Sequence, residues 1–153
     1  MTLGYQIVPA VVSAAAVIAG VHRACFDHPW SEASIVSLMS IPGTYGWLTI
    51  DPSGQPVAAL MVRQMANQAD VLTLGVCPSV RRMGLARSLM RAAEAALAAT
   101  GSVKVFLEVA ESNLSGVALY ESLGYVESGR RRNYYVVAGS GVDAVVMSKT
   151  VGD

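Results

Sequence analysis

Val71-Leu72-Thr73-Leu74-Gly75-Val76-Cys77-Pro78-Ser79-Val80-Arg81-Arg82-Met83-Gly84-Leu85-Ala86-Arg87-Ser88-Leu89-Met90 is the stretch that decides the fold. It begins as an apolar run of strand length. Val71, Leu72, Leu74 and Val76 show little alternation, the pattern of a strand covered on both faces. Pro78 has no N–H to give a ladder and ends the run. After Arg81 and Arg82 a helical pattern opens. Gly84 and Ala86 are small enough for a ligand to approach the backbone. Free N–H groups at a helix start, with Arg81, Arg82 and Arg87 beside them, suit an anion the size of a pyrophosphate. The plain alternative is a strand, a loop and a packing helix with a solvated arginine cluster, because R-x-x-G-x-A is short. No Gly-Lys-Ser/Thr follows, so this is not a Walker loop, and G-x-G-x-x-G is absent.

The chain has 153 residues, of which 53% are hydrophobic and 14% charged. That predicts one domain over residues 1–153 with a well-filled core, and it excludes disorder. A formal net charge of zero argues against a nucleic-acid binder and makes the local arginine cluster the informative feature. Cys25 and Cys77 form neither a metal spacing nor a disulfide framework, so reduced thiols and a cytoplasmic location are expected, with no metal. Residues 11–21 are apolar. No basic region precedes them and His22-Arg23 interrupts them, so they read as a buried helix and not a signal peptide. No run reaches the ~18 to 20 apolar residues of a membrane span.

Residues 5–8 read as a first strand. Pro9 and Ser13 introduce a helix to about Phe26, with Ile18, Val21 and Cys25 on one side. His22 on that helix is expected to be a surface or core histidine. Ser31 is the expected N-cap of a second helix carrying Ile35, Leu38 and Met39, closed by Pro42-Gly43. Residues 45–50 and 57–65 read as a hairpin around the type I turn Asp51-Pro52-Ser53-Gly54. Asn67-Gln68-Ala69-Asp70 is a second expected turn. Beyond the Arg/Gly loop, Leu85, Leu89, Ala93, Ala96 and Leu97 form one helical stripe, ending near Thr100-Gly101. Residues 103–110 alternate as a two-faced strand. Ser112 or Asn113 caps a short helix that Gly124 ends, and two last strands flank Ala138-Gly139-Ser140-Gly141.

Glu108 asks for a reason, because a carboxylate within a strand is costly if dry and unpaired. Pairing, a wet strand end and a catalytic role all stay open. Tyr120 is twelve residues on, in the next helix, where a tyrosine is ordinarily core. A strand–loop–helix unit returns on itself, however, so Glu108 and Tyr120 can share one end of the sheet. A carboxylate base and a phenolic acid beside an anion cradle make a sensible acyl-transfer site.

Several further segments stand in a fixed order: Pro29-Trp30-Ser31, Arg81-x-x-Gly84-x-Ala86, Leu107-Glu108-Val109, Ser112-Asn113, Ala118-Leu119-Tyr120-Glu121-Ser122-Leu123-Gly124-Tyr125 and Arg131-Arg132-Asn133-Tyr134-Tyr135. On these residues the chain resembles the GNAT superfamily of N-acetyltransferases, and within it the bacterial ribosomal-protein-alanine N-acetyltransferases. The resemblance implies an α/β fold: a mixed, bent sheet of six to seven strands, helices on both faces, and a splay between the fourth and fifth strands. It implies acetyl-CoA as co-substrate. Arg81, Arg82, Met83, Gly84, Leu85, Ala86 and Arg87 would hold its pyrophosphate. Leu74 and Val76 would offer backbone hydrogen bonds to the pantetheine arm, and Asn113 would touch the cofactor. Glu108 matches the family's base and Tyr120 its acid. Trp30, Tyr134 and Tyr135 would flank a groove for a protein or peptide N-terminus, a ribosomal protein being the implied acceptor.

Two departures stand out. Ala110 occupies a position where arginine is frequent in that subfamily, which bears on the acceptor. Cys77 stands where aspartate is common and raises a covalent acetyl-cysteine route, for which the sequence offers no basic partner. The expected mechanism is direct transfer in a ternary complex. Glu108, through a water, would take the ammonium proton, strand N–H groups would polarise the thioester carbonyl, and Tyr120 would protonate the thiolate. The rivals are a lysine or small-molecule amine as acceptor, and a non-catalytic acetyl-CoA-binding module. No nucleic-acid or membrane partner is expected.

Overall fold

The computed structural model describes residues 3–137 and 139–152. Seven strands form one sheet: β1 (Gln6–Ala10), β2 (Thr44–Ile50), β3 (Pro56–Met65), β4 (Gln68–Val76), β5 (Val103–Ala110), β6 (Val126–Val137) and β7 (Ser140–Val151). Their spatial order is β1-β2-β3-β4-β5-β7-β6. Only β4 and β5 run parallel among the paired neighbours; every other pair is antiparallel. The helices are α1 (Ala15–Cys25), α2 (Glu32–Met39), α3 (Leu85–Ala98) and α4 (Leu114–Ser122).

The alternation of β3 divides the core. Ala58, Leu60 and Val62 pack with Leu89, Met90, Ala93 and Leu97 of α3 and with Val105 and Leu107 of β5. Ala59 and Met61 point the other way, to Ile18 and Val21 of α1 and Ile35 of α2. A strand buried on both faces has no polar side to show, which is why residues 57–62 are continuously apolar. Helices on both faces and seven mixed strands match the expected class.

The local signals hold at several ends. The Ser31 hydroxyl accepts from the Ser34 N–H, and the Asn113 side chain accepts from the Gly116 N–H, so each caps its helix. The Asp51 carboxylate accepts from the backbone N–H groups of Ser53 and Gln55 and closes the β2–β3 turn. The Ser53 hydroxyl also donates to it, and that bond first, with the backbone bonds after it, holds the carboxyl below its ordinary value.

Three boundaries differ from expectation. Pro9 does not open a helix. It lies in β1 opposite Trp47, and β1 is an edge strand, where a missing N–H faces no partner. The second expected turn is shorter and earlier. Met65 pairs with Gln68, so Ala66 and Asn67 alone turn the chain, with Ala66 at φ 54°. Gln68, Ala69 and Asp70 are strand, because they are the part of β4 that pairs with β5. Ala138 of the expected final turn lies outside the described residues, and β7 starts at Ser140, two residues before the expected strand.

One buried polar cluster sits beneath α3. Glu94, 7% exposed, accepts from the Tyr125 hydroxyl at 2.8 Å and from Lys149 Nζ at 2.9 Å. Burial and the adjacent carboxylate raise the Tyr125 phenol above its ordinary value, so it stays a donor. Tyr125→Phe strands one carboxylate oxygen. We expect a loss of about 1–3 kcal/mol, read as a lower denaturant midpoint with an unchanged slope.

Candidate active site

The site follows from how little β4 and β5 pair. They share only the register Gln68↔Lys104, Ala69↔Val105 and Asp70↔Phe106. Beyond Asp70 the two strands diverge, while β4 runs on to Val76 and β5 to Ala110. The backbone edge of β4 facing this gap has no strand partner. The β3–β4 ladder also slips there, since Met61 pairs with Thr73 and Val62 with Val71. Leu72 is the extra residue, a bulge at the start of the opening. This explains a mismatch with the sequence reading. Val71, Leu72, Leu74 and Val76 are only half-buried, because their apolar run lines a cleft and is not covered by a neighbouring strand.

Three cavities follow the cleft. The first, of about 410 Å³, is lined by Val76, Arg81, Arg82, Gly84, Leu85, Ala86, Arg87 and Asn113, with Gly116 and Leu119 of α4. Gly84 precedes α3 at φ 82°, in the left-handed region, and no side chain caps this helix. First-turn N–H groups therefore have no capping side chain among the described residues. A Cβ built on Gly84 would meet nothing within 4 Å, so the space above the helix start is open. These features fit a phosphate-bearing ligand. The arginines divide their tasks. Arg81 Nε donates to the Val76 carbonyl at 2.9 Å and braces the loop. Arg87 Nη2 donates to Ser122 Oγ at 2.6 Å and ties α3 to α4. Arg82, at φ 67°, has no hydrogen bond or ion pair among the described residues. Met83 is exposed and is not among the residues lining this cavity.

The second cavity, of about 300 Å³, brings together Glu108, Tyr120, Leu74, Asn113 and Tyr135, with Leu72 and Thr73. Asn113 borders both cavities and joins them. Burial pushes the Tyr120 phenol up to about 12, with Tyr135 adding to it, so the hydroxyl keeps its proton throughout the neutral range. Its ring packs edge-on to Tyr125 at 6.1 Å.

The third cavity, of about 730 Å³, has walls of Trp30, Tyr134 and Tyr135, and Leu72, Glu108 and Asp70 also line it. Glu108, Leu72 and Tyr135 belong to both this cavity and the second. The structure thus gathers the residues assigned from sequence to the cofactor, to catalysis and to the acceptor along one channel of adjoining cavities, Met83 excepted.

Arg131 is the residue that sequence reasoning missed. Its Nε lies 2.8 Å from Glu108 Oε1, and its guanidinium sits over the Tyr134 ring at 5.4 Å. The cost expected for Glu108 is met by this pairing, in a half-exposed setting. Arg131 reaches Glu108 from β6 past β7, helped by an irregularity between Arg131 and Tyr135. There Asn133 takes φ 52° and donates its N–H to Asp143 Oδ1 at 3.0 Å. The bulge re-aims Tyr134 and Tyr135, whose rings meet edge-on at 5.1 Å.

Cys77 has Cys25 as its neighbour, across from α1. Burial, and then Cys77, raise the Cys25 thiol to about 11, so Cys25 is not the basic partner that an acetyl-cysteine route needs. Among the described residues no group of three or more His, Cys, Asp or Glu is placed to hold a metal ion. No helix among them is long and apolar enough to cross a membrane.

Comparison with known proteins agrees with this geometry. Residues 17–125 match the acetyltransferase (GNAT) family. The [ribosomal protein bS18]-alanine N-acetyltransferase of Escherichia coli K12 is 32% identical over 120 residues, 78% of this chain and 80% of that protein. The N-alpha-acetyltransferase RimI of Mycobacterium tuberculosis is 33% identical over 131 residues, 83% of this chain and 79% of that protein. The crystal structure of the Escherichia coli ribosomal-protein-S18-alanine N-acetyltransferase superposes with a TM-score of 0.90 at 26% identity, covering 97% of this chain and 95% of that one. A match over most of the chain, in sequence and in fold, makes this protein an N-acetyltransferase belonging to the acetyltransferase (GNAT) family.

Proposed function

We propose that the protein transfers acetyl from acetyl-CoA to the N-terminal α-amine of a protein, a ribosomal protein being the acceptor that the relatives' names suggest. The observation that carries the reading is the shared position of Glu108. It borders both the cleft cavity that holds Tyr120 and the larger cavity walled by Trp30, Tyr134 and Tyr135. Acetyl-CoA brings an activated acyl group as a thioester. Arg82, the first-turn N–H groups of α3 and the open space over Gly84 bind its pyrophosphate. The free edge of β4 at Leu74 and Val76 offers backbone hydrogen bonds to the pantetheine arm, and N–H groups of the splayed strand polarise the carbonyl. Glu108 takes the proton from the incoming ammonium. Tyr120, protonated at neutral pH, donates to the departing sulfur.

The chemistry favours an α-amine over lysine. An α-amine titrates near 8 and is partly neutral at physiological pH, whereas lysine lies about two to three units higher. Trp30, Tyr134 and Tyr135 give flat walls and hydroxyls suited to a peptide. A polyamine acceptor calls for several carboxylates. The larger cavity has Asp70 and Glu108, and Glu108 is already paired with Arg131.

One peptide series tests this, with free and blocked N-termini and an internal lysine in each. Acetylation is expected on the free series alone. Persistent acetylation of blocked peptides at lysine overturns the α-amine, and faster turnover of spermidine overturns the protein acceptor.

A further inference from the structure

His22 is a buried titratable group that the transfer chemistry leaves unused. It lies on α1 and is 3% exposed. Its Nδ1 accepts the Trp30 backbone N–H at 3.3 Å. An accepting Nδ1 leaves the proton on Nε2, which therefore donates to Thr73 Oγ1 at 3.0 Å. The ring also packs on Phe26 at 4.7 Å and on Trp30 at 4.9 Å between centroids. Each of these partners borders the channel. Phe26 and Thr73 line the cavity shared by Glu108 and Tyr120, and Trp30 lines the larger one. His22 itself is not among the residues lining either.

We propose that His22 is a positioning residue for the acceptor. In its neutral Nε2–H form it ties the segment carrying Trp30 to the splayed strand β4 and so sets the groove's width. This rests on the reading of the larger cavity as the acceptor's.

The tie is sensitive to acid. A second proton on Nδ1 would face the Trp30 N–H, donor against donor, and would bury a charge. Burial alone holds His22 below its ordinary 6.5. Around it, Arg23 of α1, Asp27 and His28 of the next segment and Glu32 of α2 are exposed, and β4 offers the neutral Thr73. Cys25, on its own helix, stays a thiol. None of these charges contributes to the shift. His22 is thus neutral at physiological pH, and its bonds fail only as the pH falls below the ordinary histidine value.

Steady-state kinetics of His22→Ala and His22→Gln test the proposal. With His22→Ala the KM for peptide should rise about tenfold, the worth of roughly one to two hydrogen bonds, while KM for acetyl-CoA stays within about twofold. His22→Gln keeps an amide able to bond Thr73 and should recover most of the loss at neutral pH. On acidification, peptide KM should rise more for the wild type than for His22→Gln. Amine protonation is common to both proteins and cancels in that ratio. Both KM values rising together, or a ratio constant with pH, would overturn the proposal.

If the wild type acetylates no peptide, the acceptor reading fails, and a ligand-free measurement still decides the role of His22. Trp30 and Trp47 are the two tryptophans of the chain, so Trp47→Phe leaves Trp30 as sole reporter. Its emission should change on titration from about pH 7.5 to about pH 5, and the change should vanish when His22→Gln is added. A change that survives His22→Gln, or no change at all, overturns the tie.

Discussion

Glu108→Gln should lower kcat by about 10²- to 10⁴-fold, the ordinary cost of removing a general base, while leaving KM for acetyl-CoA nearly unchanged. Steady-state rates with a free-N-terminus peptide measure it. The substitution is a clean one here. Glutamine keeps an oxygen that accepts from Arg131 Nε–H and removes only the charge and the basicity. The pair is half-exposed, with side-chain exposures of 58% and 27%, so its share of stability is at most about 1 kcal/mol. A melting temperature close to wild type with a collapsed kcat therefore separates catalysis from support. The defect should shrink as pH rises through about 8, where the α-amine loses its proton unaided. Tyr120 imposes no opposing limb in that range, because its phenol ionises only near 12. Equal rates for mutant and wild type near neutral pH would return Glu108 to a purely structural role.

The contrast between Glu108 and Arg131 shows what the sequence makes legible. Glu108 stands out locally, as a carboxylate between Leu107 and Val109 in an alternating strand. The caps at Ser31 and Asn113 and the Asp51 turn are local too, each closed within four residues. Arg131 has no such mark. It sits in a run of three arginines, and which one reaches Glu108 depends on the register of β6 on β7 and on the irregularity before Tyr135. The bulge at Leu72 is likewise a property of the β3–β4 ladder and not of leucine. His22 was legible as a histidine on a helix, but its role comes from Thr73 and Trp30, two segments that meet only in the fold. Pro9 is ambiguous in sequence because an edge strand and a helix start both accept proline. Local chemistry is written in neighbouring residues, whereas register and chain crossings are settled by packing.

Gly84→Asp should abolish the stabilisation that acetyl-CoA gives. At a hundredfold excess over Kd, acetyl-CoA should raise wild-type stability by on the order of 3 kcal/mol, seen as an upward shift in Tm. The open space over Gly84, the left-handed φ of 82° and the uncapped first turn of α3 are the reasons to place phosphate there. A carboxylate at Gly84 occupies that space and repels the same anion. Strain alone does not account for the expected loss, and Gly84→Ala is the control. Its Cβ meets no atom within 4 Å, so it adds only the left-handed backbone cost of roughly 1–2 kcal/mol. Gly84→Ala should therefore melt lower without ligand yet keep most of the acetyl-CoA shift, whereas Gly84→Asp should lose it. Arg82→Gln should weaken acetyl-CoA binding, since Arg81 and Arg87 already brace the loop and α4. A full shift retained by Gly84→Asp would move the pyrophosphate away from α3, and with it the cofactor path assigned to the 410 Å³ cavity.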